Sequence, residues 1–165
     1  MKSVLIGYPA SGKTTLFDAL SGAISNDAAK NNSNIRTIKV IDDRLAKLRD
    51  YFNPKKYSPA EILLVDNYVS SAEFSKNNSI FNRQTIDTIL KSEVTVIVLR
   101  AFKNDNIPHF KNRVSALEDL KNIIEEMCFT DLVAAEKKIE RLKKENKKNK
   151  EFEIMTKCYE QLQNN

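Results

Sequence analysis

The sequence predicts an α/β fold in which a mostly parallel sheet is followed by a helical coiled-coil hairpin. Apolar runs of strand length alternate with helical patterns over the first two thirds of the chain, and a glycine-rich motif follows the first run directly. After Val114, apolar residues recur every three or four positions and no strand pattern appears again. We therefore expect a nucleotide-binding domain, incomplete, over residues 1–112 and a helical hairpin over residues 113–165.

The first element is a strand over Val4–Ile6 that runs into a phosphate-binding loop. Gly7, four residues, Gly12, Lys13 and Thr14 match the pattern G-x-x-x-x-G-K-[ST]. Small residues let backbone N–H groups approach a polyphosphate, and the positive end of the next helix faces its charge. Lys13 is expected to bridge the terminal phosphates and Thr14 to offer its hydroxyl to Mg²⁺. The predicted nucleotide contacts are Gly7, Tyr8, Pro9, Ala10, Ser11, Gly12, Lys13, Thr14 and Thr15.

The next elements are shorter. Helical spacing predicts a helix from Lys13 to about Ser21, and a polar stretch without periodicity follows over residues 23–34. Alternating apolar residues predict a half-buried strand over Ile35–Ile41. Asp42 or Asp43 then starts a short helix through Arg49, with Leu45 and Leu48 facing inward.

A second strongly apolar strand, Glu61–Asp66, carries four consecutive apolar residues and ends in an acid. This pattern is typical of a central parallel strand that ends at a magnesium site, so Asp66 is the candidate Walker B residue, contacting Mg²⁺ through water. A helix over Asn82–Ser92 and a third buried strand over Glu93–Leu99 follow. The nucleotide is expected at the carboxyl ends of these strands.

The last third predicts two packed helices. The first carries a coiled-coil-like seam at Leu117, Leu120, Ile124, Cys128, Leu132, Ala135, Ile139 and Leu142. A shorter return helix carries Phe152, Met155, Tyr159 and Leu162. Because the return helix is about half as long, it covers only the distal half of the seam.

The net charge of +5 is concentrated at the tip of this hairpin. Between Lys137 and Lys150 stand eight basic residues against two acidic ones. One interpretation is contact with RNA or the ribosome through phosphate neutralisation, and the other is a solvated tip that keeps the protein soluble. The RNA-binding candidates are Lys143, Lys144, Lys147 and Lys148.

Composition narrows the class of protein. No apolar run approaches the length of a membrane span, and the N-terminus lacks the pattern of a signal peptide, so we expect a cytoplasmic protein. Cys128 and Cys158 are too few for a disulfide framework or metal site and are expected to be reduced core residues. His109, the one histidine, is expected to be a surface or packing residue rather than a base.

Three segments together resemble the YchF subfamily of Obg-related, translation-factor-class GTPases. They are GYPASGKTTLFDALSG, the stretch ending in EILLVD, and the long segment from VIVLRAFKND into the hairpin. The resemblance implies a P-loop NTPase with a Ras-like nucleotide domain and an inserted coiled-coil hairpin, which binds and hydrolyses ATP or GTP and associates with ribosomes. It also implies a P-loop at Gly7 to Thr14 and a Walker B position at Asp66.

The chain departs from the family pattern at its switches. The acid-x-x-Gly motif of the family is Asp66-Asn67-Tyr68-Val69 here, without the glycine. The stretch Lys30 to Asn34, where the first switch should offer a threonine to Mg²⁺, contains none, and Thr37 falls inside the following strand. The motif that selects the purine lies beyond the hairpin in the family, so GTP and ATP both stay open. The sequence is either a fragment or a shortened paralogue, and we expect the second.

The sequence thus favours a ribosome- or RNA-associated protein that binds GTP or ATP with Mg²⁺ and hydrolyses it slowly. A small-molecule or nucleoside kinase is the alternative, because the ending S-G-K-T-T also occurs in such kinases. A third alternative is a protein that retains the loop as a relic and acts through its hairpin alone.

Overall fold

The fold is described from a computed structural model, in which residues 1–22, 34–70, 74, 79–104, 106–107, 109, 113–146 and 149–164 are described. The chain divides into two compact units, Met1–Ser115 and Ala116–Asn165. Each unit is described by itself below.

The first unit alternates strands and helices around a central apolar strand. Its described elements are β1 (Lys2–Ile6), α1 (Lys13–Leu20), β2 (Ile35–Lys39), α2 (Asp43–Phe52), β3 (Glu61–Asp66), α3 (Arg83–Leu90) and β4 (Val94–Ile97). Val4, Leu5 and Ile6 are buried because β1 lies between two other strands. Leu5 also packs with Phe17 of α1 and Leu64 of β3 in the core.

The four strands form one sheet in the order β2-β3-β1-β4. β1 is parallel to β3 and to β4, whereas β2 is antiparallel to β3. The predicted mostly parallel α/β sheet is therefore confirmed, with one antiparallel strand. Its register places Leu5 of β1 opposite Asp66 of β3, which brings the acid to the same edge as the loop after β1.

Two predictions about burial in the first unit are wrong. β4 was predicted as a buried strand, but Val94 is 39% and Val96 36% exposed, because β4 is an outer strand of the described sheet. Leu48 was predicted to face inward, but it is 53% exposed and α2 contains no buried residue. The helix is set by its ends instead: the Asp42 carboxylate accepts from the Arg44 N–H, and Asn53 adopts a left-handed conformation.

The second unit consists of α4 (Ala116–Lys144) and α5 (Lys150–Gln163), which pack against each other. Three seam residues of the distal half of α4 are buried, namely Ala135, Ile139 and Leu142. Lys138 and Glu151 form an ion pair across the two helices at 2.6 Å.

Two residues of the proximal half of the predicted seam are exposed, in agreement with the prediction that the shorter return helix covers only the distal half. Leu117 and Ile124 are 65% and 47% exposed, whereas Asp119 and Ile123, on another side of α4, are buried. The 14 residues of α5 are about half the 29 residues of α4, so α5 is too short to pair with all of α4.

Cys158 is exposed and Cys128 half-buried, so the expectation that both are core residues is also wrong; both are free thiols. In the described part of the chain, no helix combines the length and apolar character needed to span a bilayer.

Candidate nucleotide site

The loop between β1 and α1 has a backbone conformation that requires glycine at two positions. Gly7 has φ +150° and Gly12 has φ +97°, conformations that side-chain-bearing residues rarely adopt. A Cβ on Gly7 would lie 2.3 Å from the Val98 carbonyl oxygen, so the loop start and the end of β4 touch through backbone alone. Glycine at position 7 is therefore required by both conformation and space.

Lys13 is a buried cation at this loop. Its Nζ donates to the Gly7 carbonyl at 2.8 Å and to the Tyr8 carbonyl at 2.9 Å. Burial lowers the pKa of Lys13 from its ordinary value, and the nearby Asp66 carboxylate offsets part of that effect. A bound polyphosphate would favour the charged amine more strongly than two neutral carbonyls do.

Thr14 and Asp66 meet although they lie 52 residues apart in the chain. Thr14 Oγ1 donates to Asp66 Oδ2 at 2.8 Å. The other oxygen, Asp66 Oδ1, is buried and has no hydrogen-bond partner among the described residues. One hydroxyl and one carboxylate with a spare oxygen fit Mg²⁺, which takes few protein ligands and completes its shell with water and phosphate oxygens.

A cavity of about 220 Å³ opens beside Thr14, whereas Asp66 lines a second cavity of about 550 Å³. The smaller cavity is lined by Pro9, Ala10, Ser11, Gly12, Lys13, Thr14, Thr15, Tyr68 and Val69. Gly7 and Tyr8 lie outside this lining: both are buried, and the Tyr8 ring packs edge-on against Phe74 with 5.5 Å between centroids. The structure thus gathers Pro9 to Thr15 around one cavity and places Gly7 and Tyr8 in the framework of the loop.

Sequence reasoning missed the role of the residues after Asp66. The Asn67 amide donates to Thr85 Oγ1 at 2.9 Å, and both side chains are buried. Val69 is 4% exposed, so the segment that lacks the family glycine is fixed by packing. The motif Asp66-Asn67-Tyr68-Val69 pointed to a difference here, but nothing in the sequence indicated Thr85 as the partner.

Arg100, three residues after the end of β4, fixes the loop that follows it. Its guanidinium donates to the carbonyls of Phe102 at 3.1 Å and Ile107 at 2.7 Å, and it lies 4.9 Å from the centre of the Phe102 ring. His109 is buried in the same region, consistent with its expected packing role. Arg100 is therefore a structural residue that holds the carbonyls of this loop together.

Of the four lysines predicted to bind RNA at the hairpin tip, two lie among the described residues. Lys143 and Lys144 are exposed at the end of α4, and neither forms an ion pair within the described chain. Arg141, by contrast, faces Glu145 at 3.7 Å. Lys147 and Lys148 lie outside the described residues.

Together the sheet, the glycine loop after β1 and the acid at the end of β3 define an α/β protein with a P-loop NTPase-like fold. The structure of the Schizosaccharomyces pombe YchF GTPase is similar to it, with a TM-score of 0.74 and 24% identity over 98% of this chain and 47% of that one.

Curated relatives agree with that likeness. Over 94% of this chain, its sequence is 33% identical to the ribosome-binding ATPase YchF of Bacillus subtilis. Over 99% of this chain, it is 30% identical to the ribosome-binding ATPase YchF of Escherichia coli O157:H7. The chain is therefore YchF-like, as its motifs indicated. It spans about half the length of these relatives, 45% and 47%. No protein-family model matches the chain.

Proposed function

We propose that this protein binds a purine nucleoside triphosphate, GTP or ATP, together with Mg²⁺ at the loop from Gly7 to Thr15. The observation that carries the proposal is a desolvated lysine, Lys13, beside a buried carboxylate whose Oδ1 lacks a partner in the described chain. A buried ammonium that donates only to neutral carbonyls and a buried carboxylate oxygen without a partner both destabilise the fold until an anion and a cation bind beside them. A triphosphate with its magnesium ion supplies both.

The residues then have distinct tasks. Lys13 exchanges its carbonyl partners for phosphate oxygens, while the amides of the loop and the start of α1 surround the phosphates. Thr14 and Asp66 hold Mg²⁺, which neutralises charge on the phosphates when it is bound. Asp66 keeps its position because β3 pairs with β1 in register.

Hydrolysis, if it occurs, is expected to be slow. The segment after Asp66 is held by the Asn67–Thr85 hydrogen bond and by the burial of Val69. A switch that turns a backbone amide toward the γ-phosphate needs freedom at this position, and Val69 replaces the glycine that gives it. Neither the sequence nor the described geometry assigns a residue to orient the attacking water.

Association with ribosomes or RNA in the cytoplasm is the second part of the proposal. It is supported by the curated relatives, which are named ribosome-binding ATPases, and by exposed Lys143 and Lys144 at the end of α4. Lysines without carboxylate partners are the groups that neutralise RNA phosphates. We extend the assignment to Lys147 and Lys148 from the sequence.

Fluorescent analogues of GTP and ATP, titrated with Mg²⁺ present, test the nucleotide proposal. Lys13→Ala is expected to abolish binding, because it removes the buried cation, whereas the matched control Lys39→Ala removes an exposed cation at the opposite end of the sheet and is expected to bind normally. Equal affinity of Lys13→Ala and the unaltered chain would contradict the proposal.

A further inference from the structure

Helix α2 presents apolar side chains to solvent. Tyr51 is 83%, Phe52 68% and Leu48 53% exposed, and Ile41, just before the helix, is 92% exposed. A ten-residue helix is marginal in water without packing, and adjoining exposed apolar residues commonly mark an interaction surface. This helix therefore displays its apolar residues outward instead of using them for the core.

The same surface is cationic. Arg44, Leu48 and Tyr51 recur at helical spacing on one face, whereas Asp43 and Asp50 fall on another side. Asp42 and Asp50 are engaged with Arg44 and Arg49 at 3.0 and 2.7 Å. Lys47, Lys55 and Lys56 are exposed and have no ion pair within the described chain. The α2 surface, as we use the term, comprises Arg44, Lys47, Leu48, Tyr51, Phe52, Lys55 and Lys56.

The aromatic rings are placed to offer their faces. Tyr51 and Phe52 meet edge-to-face, with centroids 4.9 Å apart and planes at 79°, so the edge of one ring lies against one face of the other and the two rings leave their other faces unstacked on each other. Arg49 lies 5.1 Å from the centre of the Tyr57 ring and keeps that third ring beside the helix end. Exposed rings interleaved with unpaired lysines are the combination that binds single-stranded nucleic acid, through base stacking and phosphate neutralisation.

We propose that the α2 surface binds single-stranded RNA, with bases stacked on Tyr51 and Phe52 and phosphates held by Lys47, Lys55 and Lys56. This inference deepens the proposed RNA association and rests on it, but it uses a different unit of the chain from the hairpin lysines. An acidic protein would satisfy the lysines but has less use for two open ring faces.

Binding of a fluorescein-labelled oligouridylate to the full chain, followed by anisotropy, tests the stacking. The double variant Tyr51→Ala, Phe52→Ala is expected to weaken binding about thirtyfold or more, the effect of losing two base–aromatic stacks. The matched control Leu90→Ala truncates a 78% exposed side chain on α3 and is expected to change nothing. Unchanged affinity in the double variant would overturn the inference.

The salt dependence tests the phosphate contacts. Lys55→Gln with Lys56→Gln is expected to flatten the slope of log affinity against log salt by about 1.4, since each single-strand phosphate contact contributes about 0.7. Lys91→Gln with Lys157→Gln, two exposed lysines elsewhere, is expected to leave the slope unchanged. A slope equally affected by both pairs would mean general charge attraction and would refute the site.

Two further measurements keep the outcomes separate. The chain has no tryptophan, so Tyr51→Trp creates a single fluorophore that should be quenched by RNA at unaltered affinity; an unquenched signal overturns the stacking. If only Lys143→Gln with Lys144→Gln weakens binding, the α2 inference is wrong while the proposed RNA association stands. If the unaltered chain binds no RNA, both are wrong, and the nucleotide titration still decides the rest.

Discussion

Replacing Gly7 by alanine tests whether the geometry of the loop is as tightly constrained as it appears from φ and from the approach of Val98. The conformation at φ +150° costs a side-chain-bearing residue about 1–3 kcal/mol. The new Cβ would also lie 2.3 Å from the Val98 carbonyl oxygen, and overpacking of this kind adds about 1–3 kcal/mol. We therefore expect Gly7→Ala to lower the free energy of unfolding by about 2–6 kcal/mol.

Gly22→Ala is the matched control. Gly22 also has a positive φ, +69°, but a Cβ there meets nothing within 4 Å, so the expected loss is only about 1–2 kcal/mol of backbone strain. Urea unfolding of the unaltered protein and the two variants is followed by circular dichroism. At a slope of about 2 kcal/mol per molar urea, each variant should unfold at a midpoint roughly 0.5 M or more below that of the unaltered protein, with the larger shift for Gly7→Ala. Equal destabilisation by the two substitutions would refute the steric reasoning.

Three other substitutions or conditions test separate parts of the account. Thr85→Val leaves the buried Asn67 amide without its partner and should cost about 1–3 kcal/mol of unfolding free energy, whereas adding Asn67→Leu should recover much of that loss; no recovery in urea melts would argue against the hydrogen bond. Ile139→Ala should cost about 2–4 kcal/mol because Ile139 is buried in the hairpin seam, while Ile124→Ala, at an exposed position, should cost less than about 0.5 kcal/mol; similar melting temperatures for both would contradict the packing. Nucleotide affinity should be full below the lowered pKa of free Lys13 and fall as pH rises through it, because the phosphates favour the charged amine; affinity that stays constant up to pH about 10 would oppose this assignment.

Much of the first unit follows from local sequence. Glu61–Asp66 was predicted with the bounds that the structure gives, because four adjacent apolar residues ending in an acid leave little choice of element. The glycine motif likewise indicated a turn between β1 and α1. Local order of this kind depends on neighbours in sequence, which is why it could be predicted.

The sequence did not identify which residues pack against each other in the folded chain. Helical spacing marked Leu48 and Ile124 as apolar stripe residues, but periodicity identifies a face and not the surface that covers it. The same limit applies to Asn67 and Thr85, whose polar side chains become a buried pair only when α3 packs beside the end of β3. Thr14 and Asp66 were each predicted to lie near Mg²⁺, and their side chains meet because parallel β1 and β3 end at the same edge of the sheet.

Isothermal titration calorimetry of the unaltered chain with GTP and with ATP, each with and without Mg²⁺, tests the central claim most directly. We expect one site per chain and binding that strengthens when Mg²⁺ is added, since Thr14 and Asp66 offer oxygen ligands to the ion. Absence of saturable heat with either nucleotide in the presence of Mg²⁺ would contradict that claim.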